Sequence, residues 1–227
     1  MTTYNIAIDG PAGAGKSTIA RKAAARLGFI YVDTGAMYRA MALYFLRKGI
    51  DRNNEKAIKE ACEDISISIH YKEGTQRVLL NGEDVSGLIR TEEVSQMTSA
   101  ISVHAPVREK LLELQRELAN TRDVIMDGRD IGTCVLPNAQ TKIYLTASSH
   151  VRALRRFKEL EEKGLRCNLE EIEHDIIERD YRDTHRAIAP LKQAEDAVYI
   201  DSSQMTIDQV VEAILEAAGH GNPKDGR

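Results

Sequence analysis

The chain lacks any apolar run long enough to cross a membrane. Of its 227 residues 42% are apolar and 29% are charged, and no stretch approaches the ~18 apolar residues that a transmembrane helix needs. The first residues, Met-Thr-Thr-Tyr-Asn, also lack the basic region and apolar stretch of a signal peptide. We therefore expect a globular protein that stays in the cytoplasm and has no membrane partner.

Cysteine is scarce. The chain has three cysteines, Cys62, Cys134 and Cys167, and no two of them form a CxxC pair. An odd number of widely separated thiols argues against a disulfide framework and provides no ligand pair for zinc. The six histidines form no pattern typical of a catalytic triad or a metal cluster. Unreactive thiols in a reducing compartment are what this usage predicts.

An excess of positive charge is also missing. The formal net charge is −4, whereas proteins that bind nucleic acids usually carry a basic excess. The sequence therefore favours small-molecule partners over a nucleic acid. It also contains no obvious coiled-coil seam or exposed apolar helix that would require a protein partner, so we expect a monomer.

The order of the predicted elements indicates an α/β fold. A strand at 4–9 is followed by a helix from about Ser17 that ends at Gly28, a strand at 29–33 and a helix that ends at Gly49. This βαβα order is typical of a parallel sheet covered by helices. Further strands are predicted at 123–127, 142–145 and 197–200. Together they predict a five-stranded parallel sheet flanked by helices.

A different pattern interrupts this order in the first half of the chain. Ile65, Ile67 and Ile69 alternate with polar residues, as in a half-buried strand. Asn81-Gly82 is a strong signal for a two-residue hairpin. The pattern predicts a small antiparallel β insertion.

The predicted domain organisation follows from these elements. The core is assigned to residues 1–60 and 91–219, and the insertion to about residues 61–90. A charge-rich helical region at 149–180 contains a short helical lid at about 150–175. The Gly- and Pro-containing tail, residues 220–227, has no apolar anchor and is predicted to be disordered.

Residues 10–17 form the most informative motif. Gly-Pro-Ala-Gly-Ala-Gly-Lys-Ser fits GxxxxGK[ST] in full and lies between a predicted strand and a predicted helix. Its backbone amides can surround a phosphate, and the helix that follows adds the positive end of its dipole. Lys16 can reach the β- and γ-phosphates, and the Ser17 hydroxyl can ligate Mg²⁺. The predicted phosphate-binding set is Gly10, Pro11, Ala12, Gly13, Ala14, Gly15, Lys16, Ser17 and Thr18.

This phosphate loop does not identify the acceptor. GTPases, ATPases and small-molecule kinases all share it. The guanine-binding motif NKxD is absent, which argues against a GTPase.

Four further stretches carry a family resemblance. In chain order they are Asp33-Thr-Gly-Ala-Met-Tyr-Arg39, Gly82-Glu-Asp-Val-Ser86 with Ile89-Arg-Thr-Glu92, Asp127-Gly-Arg-Asp-Ile-Gly-Thr133, and Glu178-Arg-Asp-Tyr-Arg-Asp-Thr-His-Arg186 with Ala189-Pro-Leu. Together with the phosphate loop they resemble the bacterial cytidylate kinases over about residues 4–215. The resemblance implies a P-loop kinase that uses ATP and Mg²⁺ to phosphorylate CMP. It also implies that the insertion belongs to the domain that binds the nucleoside monophosphate (NMP).

The resemblance also implies roles for individual positions. The CMP phosphate would be held by Arg39, Arg129 and Arg186, which with Lys16 form the implied catalytic set. The cytosine would be contacted by Ser99, Arg108 and Asp130. Arg179 and Asp183 would contact the ribose. Thr34, at a position where the family often has serine, would complete the CMP site.

The implied base-reading residues suit cytosine chemically. A carboxylate such as Asp130 can accept a hydrogen bond from the N4 amino group, and Arg108 can donate to N3 and O2. Uracil reverses this pattern and would leave buried polar groups unpaired, which costs up to ~10⁴-fold in the best cases. A single hydrogen bond to the 2′-hydroxyl is worth only ~1 kcal/mol, so dCMP should also be accepted.

Several assignments stay open at this point. Arg155 or Arg156 in the lid could contact ATP, and Arg156 is the one we assign to this role. Arg108 and Arg152 could instead pair with nearby glutamates on their own helices. Asp127 could bind Mg²⁺ through water or only turn the chain at a strand end. Gly132-Thr133 could place its own backbone near the phosphoryl acceptor, or it could only turn the chain.

Two other functions are compatible with the phosphate loop. One is a P-loop kinase for another small acceptor such as UMP, AMP or a shikimate-like molecule. The other is a nucleotide-binding protein without catalytic activity. The intact Lys16 and Ser17 argue against the second.

Overall fold

The computed structural model describes residues 3–72 and 74–219. The predicted disordered tail, residues 220–227, lies outside the described residues. The strands are β1 (Asn5–Asp9), β2 (Ile30–Asp33), β3 (Ile67–Lys72), β4 (Thr75–Leu80), β5 (Glu83–Asp84), β6 (Val124–Gly128), β7 (Thr141–Thr146) and β8 (Val198–Asp201). The α-helices are α1 (Lys16–Leu27), α2 (Thr34–Lys48), α3 (Glu55–Glu63), α4 (Glu92–Ile101), α5 (Ala105–Thr121), α6 (Ser149–Glu162), α7 (Leu169–His185) and α8 (Ile207–Ala217). The predicted helix ends at Gly28 and Gly49 are confirmed.

The chain divides into two compact units. The first comprises the described parts of Met1–Tyr31 and Asp123–Arg227, and the second is Val32–Arg122. The second unit contains the predicted insertion at 61–90 and extends beyond it in both directions. The assignment of residues 1–60 and 91–219 to a functional core stays a prediction.

The first unit is built on the predicted parallel sheet. Its strand order is β2-β6-β1-β7-β8. The central strand β1 pairs in parallel with both β6 and β7, and β7 pairs in parallel with β8. The boundary between the units falls inside β2, whose first two residues belong to the first unit. The predicted fold class is therefore confirmed: a five-stranded parallel sheet flanked by helices, with a separate antiparallel sheet.

One face of this sheet carries the core of the first unit. Ile6 and Ile8 of β1 are fully buried against α1 and α8, which supply residues such as Ile19 and Ile214. Each fully buried isoleucine side chain contributes ~2 kcal/mol of hydrophobic stabilisation. Because alternate residues of a strand point to opposite faces, Asp9 at the end of β1 lies on the other face. The Asp9 carboxylate, which directly precedes the phosphate loop in the chain, is therefore on the face opposite Ile6 and Ile8.

The second unit combines helices with a three-stranded antiparallel sheet in the order β3-β4-β5. Helix α2 packs against α4 and α5, and buries Met37, Met41 and Phe45. The predicted hairpin at Asn81-Gly82 is confirmed, since it joins β4 to β5 with φ values of 49° and 85°. Two positive φ angles are what a type I′ turn requires.

Two local features differ from what the sequence predicted. The helical region predicted at 149–180 consists of α6 and α7, because the chain turns after Glu162. The amides of Gly164 and Leu165 donate to carbonyls of the last turn of α6. A short π-helical turn at Ile131–Val135 was not predicted. None of the described helices combines the length and the hydropathy that a membrane span requires.

Candidate active site

The phosphate loop connects β1 to α1 in the first unit. Gly13 and Gly15 have φ values of 75° and 86°, a conformation that favours glycine. At Gly10, where φ is 150°, the constraint is also spatial. A Cβ atom there would lie 1.9 Å from the carbonyl oxygen of Leu145 in β7. The start of the loop is therefore held against the neighbouring strand, which fixes where its amides point.

Lys16 is buried against its own loop. Its Nζ donates hydrogen bonds of 2.7 Å to the carbonyl oxygens of Gly10 and Pro11. Burial lowers the pKa of Lys16 to about 7, and the positive charge of Arg129 acts in the same direction. The nearby carboxylates Asp127 and Asp9 oppose this shift. A phosphate group bound in the loop would favour the charged form of this lysine.

Ser17 and Asp127 form an oxygen-rich pair next to Lys16. The Ser17 hydroxyl donates to Oδ2 of Asp127 across 2.9 Å, and Tyr31 donates to Oδ1 of the same carboxylate across 2.9 Å. A hydroxyl and a carboxylate are ligands that suit Mg²⁺, which commonly takes one or two protein oxygens together with substrate phosphates. In the described part of the chain, no group of three or more His, Cys, Asp or Glu side chains could hold a metal ion. A cation at Ser17 would therefore depend on phosphate oxygens for its remaining ligands.

Asp9 occupies a position that sequence reasoning missed. Its two carboxylate oxygens accept hydrogen bonds from the amides of Ile131 and Gly132, at 2.8 and 2.7 Å. These amides open the π-helical turn that follows Arg129 and Asp130. Burial raises the pKa of Asp9 to about 6, although the two backbone hydrogen bonds act to lower it. No local sequence pattern signals this contact, because it joins residues more than 120 positions apart.

Four of the residues assigned to CMP form two ion pairs in the first unit. Arg129 donates to Asp183 across 2.8 Å, and Arg186 donates to Asp130 across 3.3 Å. Burial acts to raise the pKa of Asp183, but the charges of Arg129, Arg179 and Arg186 hold it below its ordinary value. In this unit, each arginine assigned to the CMP phosphate therefore pairs with an aspartate assigned to the ribose or the base. Their individual roles stay predictions.

Helix α6 presents three arginines with different surroundings. Arg152 is buried and donates to the carbonyl oxygens of Ala147 and of Ala12 in the phosphate loop, and to Asp180 across 2.6 Å. Arg155 donates to the carbonyl oxygen of Ser202. Arg156 forms an exposed ion pair with Glu159 across 3.2 Å. Arg152 therefore supports the phosphate loop rather than pairing with a glutamate of its own helix, whereas the role assigned to Arg156 in ATP binding stays a prediction.

Four further residues assigned to CMP belong to the second unit, whereas Arg179 lies in α7 of the first. Thr34 is the first residue of α2, which Asp33 caps by accepting a hydrogen bond from the Ala36 amide. Arg39 follows one turn later in α2. Asp33 also forms an ion pair with Arg90 across 3.0 Å. Arg90 lies in the Ile-Arg-Thr-Glu stretch that carries part of the family resemblance, but no role was predicted for it.

Ser99 and Arg108 lie on successive helices of this unit. Arg108 in α5 donates to the carbonyl oxygen of Ser102, directly after the end of α4, across 3.3 Å. Its guanidinium group lies over the ring of Tyr38, 5.8 Å from the centroid. The Ser102 hydroxyl in turn donates to the Ser99 carbonyl oxygen. The turn after α4 therefore brings Arg108 towards the helix end that carries Ser99.

Comparisons with known proteins agree with these features. The cytidylate kinase family matches residues 6–220. A cytidylate kinase of Lactobacillus johnsonii is 52% identical over 211 residues, which cover 93% of this chain and 92% of the relative. A cytidylate kinase of Caldicellulosiruptor saccharolyticus is 50% identical over 216 residues, covering 95% and 96%.

A solved structure shares the fold. It is an uncharacterized protein from Eubacterium ventriosum, 12% identical, with a TM-score of 0.51 and coverage of 94% of this chain and 97% of that chain. At this identity the likeness concerns the fold alone. The family follows from the sequence matches, which extend over nearly the whole chain at about half identity. The chain belongs to the cytidylate kinase family.

Proposed function

We propose that this protein transfers the γ-phosphoryl group of ATP to CMP, giving ADP and CDP, and that it also accepts dCMP. One observation carries the proposal. In the first unit, Ser17 of the phosphate loop donates a hydrogen bond to Asp127, two residues before Arg129, and Arg129 pairs with Asp183. The charges of Asp127, Arg129 and Asp183 all act on Lys16. A donor-phosphate site and residues assigned to the acceptor therefore share one electrostatic environment, in a chain of the cytidylate kinase family.

The donor side is proposed as follows. The loop amides and Lys16 bind the phosphates of ATP, with the start of α1 adding its positive dipole end. Ser17 and, through water, Asp127 would hold Mg²⁺. When bound, the cation would neutralise phosphate charge that develops during transfer.

The acceptor side depends on arginines. Guanidinium groups of Arg39, Arg129 and Arg186 would bind the CMP phosphate, because the planar fork of arginine matches two phosphate oxygens and keeps its charge. The CMP phosphate is mostly dianionic at neutral pH. It is thus already a nucleophile, and we assign no general base. The proposed contribution of these residues is to place and neutralise the reacting groups.

Base and ribose recognition completes the proposed acceptor set. Asp130 would accept from the cytosine amino group, while Arg108 and Ser99 would bind N3 and O2. Arg179 and Asp183 would contact the ribose, and Thr34 would support the monophosphate. Uracil offers the opposite pattern of donors and acceptors, so this set would discriminate against UMP.

Residues 150–175 are proposed to act as a lid. Closure would exclude water from the donor phosphate and so limit hydrolysis of ATP. Arg156 is proposed to reach ATP from this segment. Its present partner, Glu159, is exposed, and an exposed pair of this kind is worth at most ~1 kcal/mol. Exchange of that partner for a phosphate would therefore cost little.

We further propose that the protein acts as a monomer in the cytoplasm, within pyrimidine nucleotide metabolism, without nucleic-acid or membrane partners. The net charge of −4 supports small-molecule substrates over a nucleic acid. The cytoplasm is where ATP and CMP meet.

Direct product analysis tests the proposed reaction. The protein is incubated with ATP, Mg²⁺ and CMP, and the nucleotides are separated by chromatography. We expect CDP and ADP in equal amounts, and a loss of at least ~100-fold for Lys16→Met. Lys22→Met is the matched control, since Lys22 lies on the same helix in an exposed ion pair. ATP binding without CDP formation would favour the non-catalytic alternative and contradict the proposal.

A further inference from the structure

Asp9 makes a contact that the proposed mechanism does not use. It is 4% exposed, and its carboxylate accepts hydrogen bonds from the two amides that open the turn at Ile131–Val135. Amides at the start of a helical turn have no partner within that turn. Asp9, which lies on another element, supplies the acceptor for both of them.

This contact has a consequence for Asp130, the residue directly before the turn. An aspartate at such a position usually caps the turn with its own side chain. Among the described residues, Asp9 caps these amides and Asp130 does not. The carboxylate of Asp130 instead accepts a hydrogen bond from Arg186. Capping from β1 therefore releases the Asp130 carboxylate for other partners.

The backbone of Asp9 is held from both sides. In the central strand β1 it pairs in register with Gly128 of β6 and with Tyr144 of β7. The next residue, Gly10, packs so tightly on the Leu145 carbonyl that a Cβ atom would overlap it. Because the backbone of Asp9 is held in the sheet, its carboxylate is restricted in position. The two hydrogen bonds from Ile131 and Gly132 therefore tie the turn to the sheet.

Gly132 lets the turn approach this support closely. A Cβ atom at Gly132 would lie 3.4 Å from Oδ2 of Asp9 and 3.2 Å from Cδ of Lys142. A methyl group at Gly132 would therefore touch the Asp9 carboxylate and would require the Lys142 side chain or the turn to shift by a few tenths of an ångström. Asp9 holds the turn by its amides, and the absence of a side chain at Gly132 lets those amides reach the Asp9 carboxylate.

We propose that Asp9 is a positioning residue for base selection: by holding the amides of Ile131 and Gly132, it directs the carboxylate of Asp130 towards the cytosine amino group. The inference rests on the proposed function, because it assumes that Asp130 reads the base. Charged groups that act on Asp9 are Lys16, which favours its ionised form, and Asp130, which opposes it. As a carboxylate, Asp9 can accept both hydrogen bonds at once.

Asp9→Asn provides the first test. The amide keeps the size of the side chain but places an NH₂ group against one of the two backbone N–H groups. We expect the ratio of kcat/KM for CMP to that for UMP to fall by about tenfold, because one hydrogen bond to a charged group is lost. The KM for CMP should rise, whereas the KM for ATP should change less than about twofold. Asp208→Asn, on the exposed surface of α8, is the control and should leave all of these values unchanged.

A double variant separates positioning from general damage. If Asp9 acts through Asp130, Asp9→Asn should add little to the loss of CMP selectivity in Asp130→Asn, because two residues that act through a shared backbone turn are not additive. Gly132→Ala should reproduce the loss of selectivity, because its methyl group would disturb the same contact between the turn and Asp9. If Asp9→Asn does not fold, the selectivity of Gly132→Ala shows whether the contact between Asp9 and the turn affects base selection.

The outcomes distinguish the inference from its premise. Equal losses for CMP and UMP, with both KM values unchanged, would show that Asp9 is merely structural and would overturn the inference. Full additivity in the double variant would do the same. If the wild-type protein forms CDP and these variants keep their selectivity, the inference fails and the proposed function stands. If the wild-type protein forms no CDP, the proposed function itself fails.

Discussion

Arg186 donates a hydrogen bond to the carboxylate of Asp130 across 3.3 Å, and only 6% and 7% of the two side chains are exposed. Arg186 also donates from Nε to the Ala189 carbonyl oxygen across 2.6 Å. Its guanidinium plane is thereby fixed by a backbone group at one edge and by a carboxylate at another. The residue assigned to the CMP phosphate and the residue assigned to the base are therefore mechanically linked.

Asp130→Asn tests the base-reading role. Asparagine can place a donor where the cytosine amino group needs an acceptor, and it weakens the contact with Arg186. We expect kcat/KM for CMP to fall by about 100-fold or more, while the dissociation constant for ATP, measured by calorimetry, changes less than about twofold. Asp208→Asn, on the exposed surface of α8, is the matched control. Equal losses in CMP use and ATP binding would argue against base reading by Asp130.

Arg186→Lys tests the phosphate-binding role. Lysine keeps the positive charge but cannot bridge two oxygens with a planar fork, nor donate to Asp130 and Ala189 together. We expect kcat to fall by roughly 100-fold in steady-state assays at saturating ATP and CMP. Arg26→Lys changes an exposed arginine of α1 that pairs with Glu212 and should have no effect. An unchanged kcat in Arg186→Lys would remove Arg186 from the catalytic set.

Asp127→Asn tests the proposed cation site. Removing one negative charge beside Ser17 should raise the Mg²⁺ concentration needed for half-maximal activity by about 10- to 100-fold. Tyr31→Phe keeps the Asp127 carboxylate and removes only one donor to it, so its Mg²⁺ titration should shift far less. A Mg²⁺ titration of Asp127→Asn that overlays the wild-type curve would show that Asp127 only turns the chain.

The pKa of Asp9 predicts how stability depends on pH. Burial raises this pKa from an ordinary 3.8 to about 6, so the folded protein binds the proton more tightly than the unfolded chain. The contribution of Asp9 to stability is thus complete below about pH 4 and is lost as the pH rises through 6. Relative to Asp9→Asn, the free energy of unfolding of the wild-type protein should fall by roughly 2 kcal/mol between about pH 4.5 and about pH 7.

Urea unfolding of both proteins across this range measures that difference. Comparison with Asp9→Asn cancels the titration of groups that do not interact with Asp9. Lys16, on which Asp9 acts, has a pKa of about 7 and titrates at the upper end of this range. A difference that does not vary with pH would show that Asp9 keeps an ordinary pKa in the folded protein.

Local signals in the sequence predicted much of the fold. Asn81-Gly82 predicted its hairpin because two neighbouring residues determine a type I′ turn. The phosphate loop was recognisable because the strand, the glycines, Lys16 and the helix are contiguous. The strand order β2-β6-β1-β7-β8 could not be read from such signals, because it depends on pairing between residues far apart in the chain.

The same distinction applies to the site. Motif resemblance predicted the arginines and aspartates that the first unit brings together. It did not predict that Asp9 caps the turn after Asp130, since nothing near Asp9 in the sequence marks a partner more than 120 positions away. Arg152 was ambiguous for a related reason. A helix with many glutamates provides local partners for every arginine, and only the fold places this one against Ala12.

We expect this protein to phosphorylate CMP in preference to other nucleoside monophosphates. The decisive measurement is a coupled assay of ADP release, with equal concentrations of CMP, dCMP, UMP and AMP as acceptors. We predict the highest kcat/KM for CMP, appreciable activity with dCMP, and much lower values for UMP and AMP. Highest activity with AMP or UMP would contradict the account.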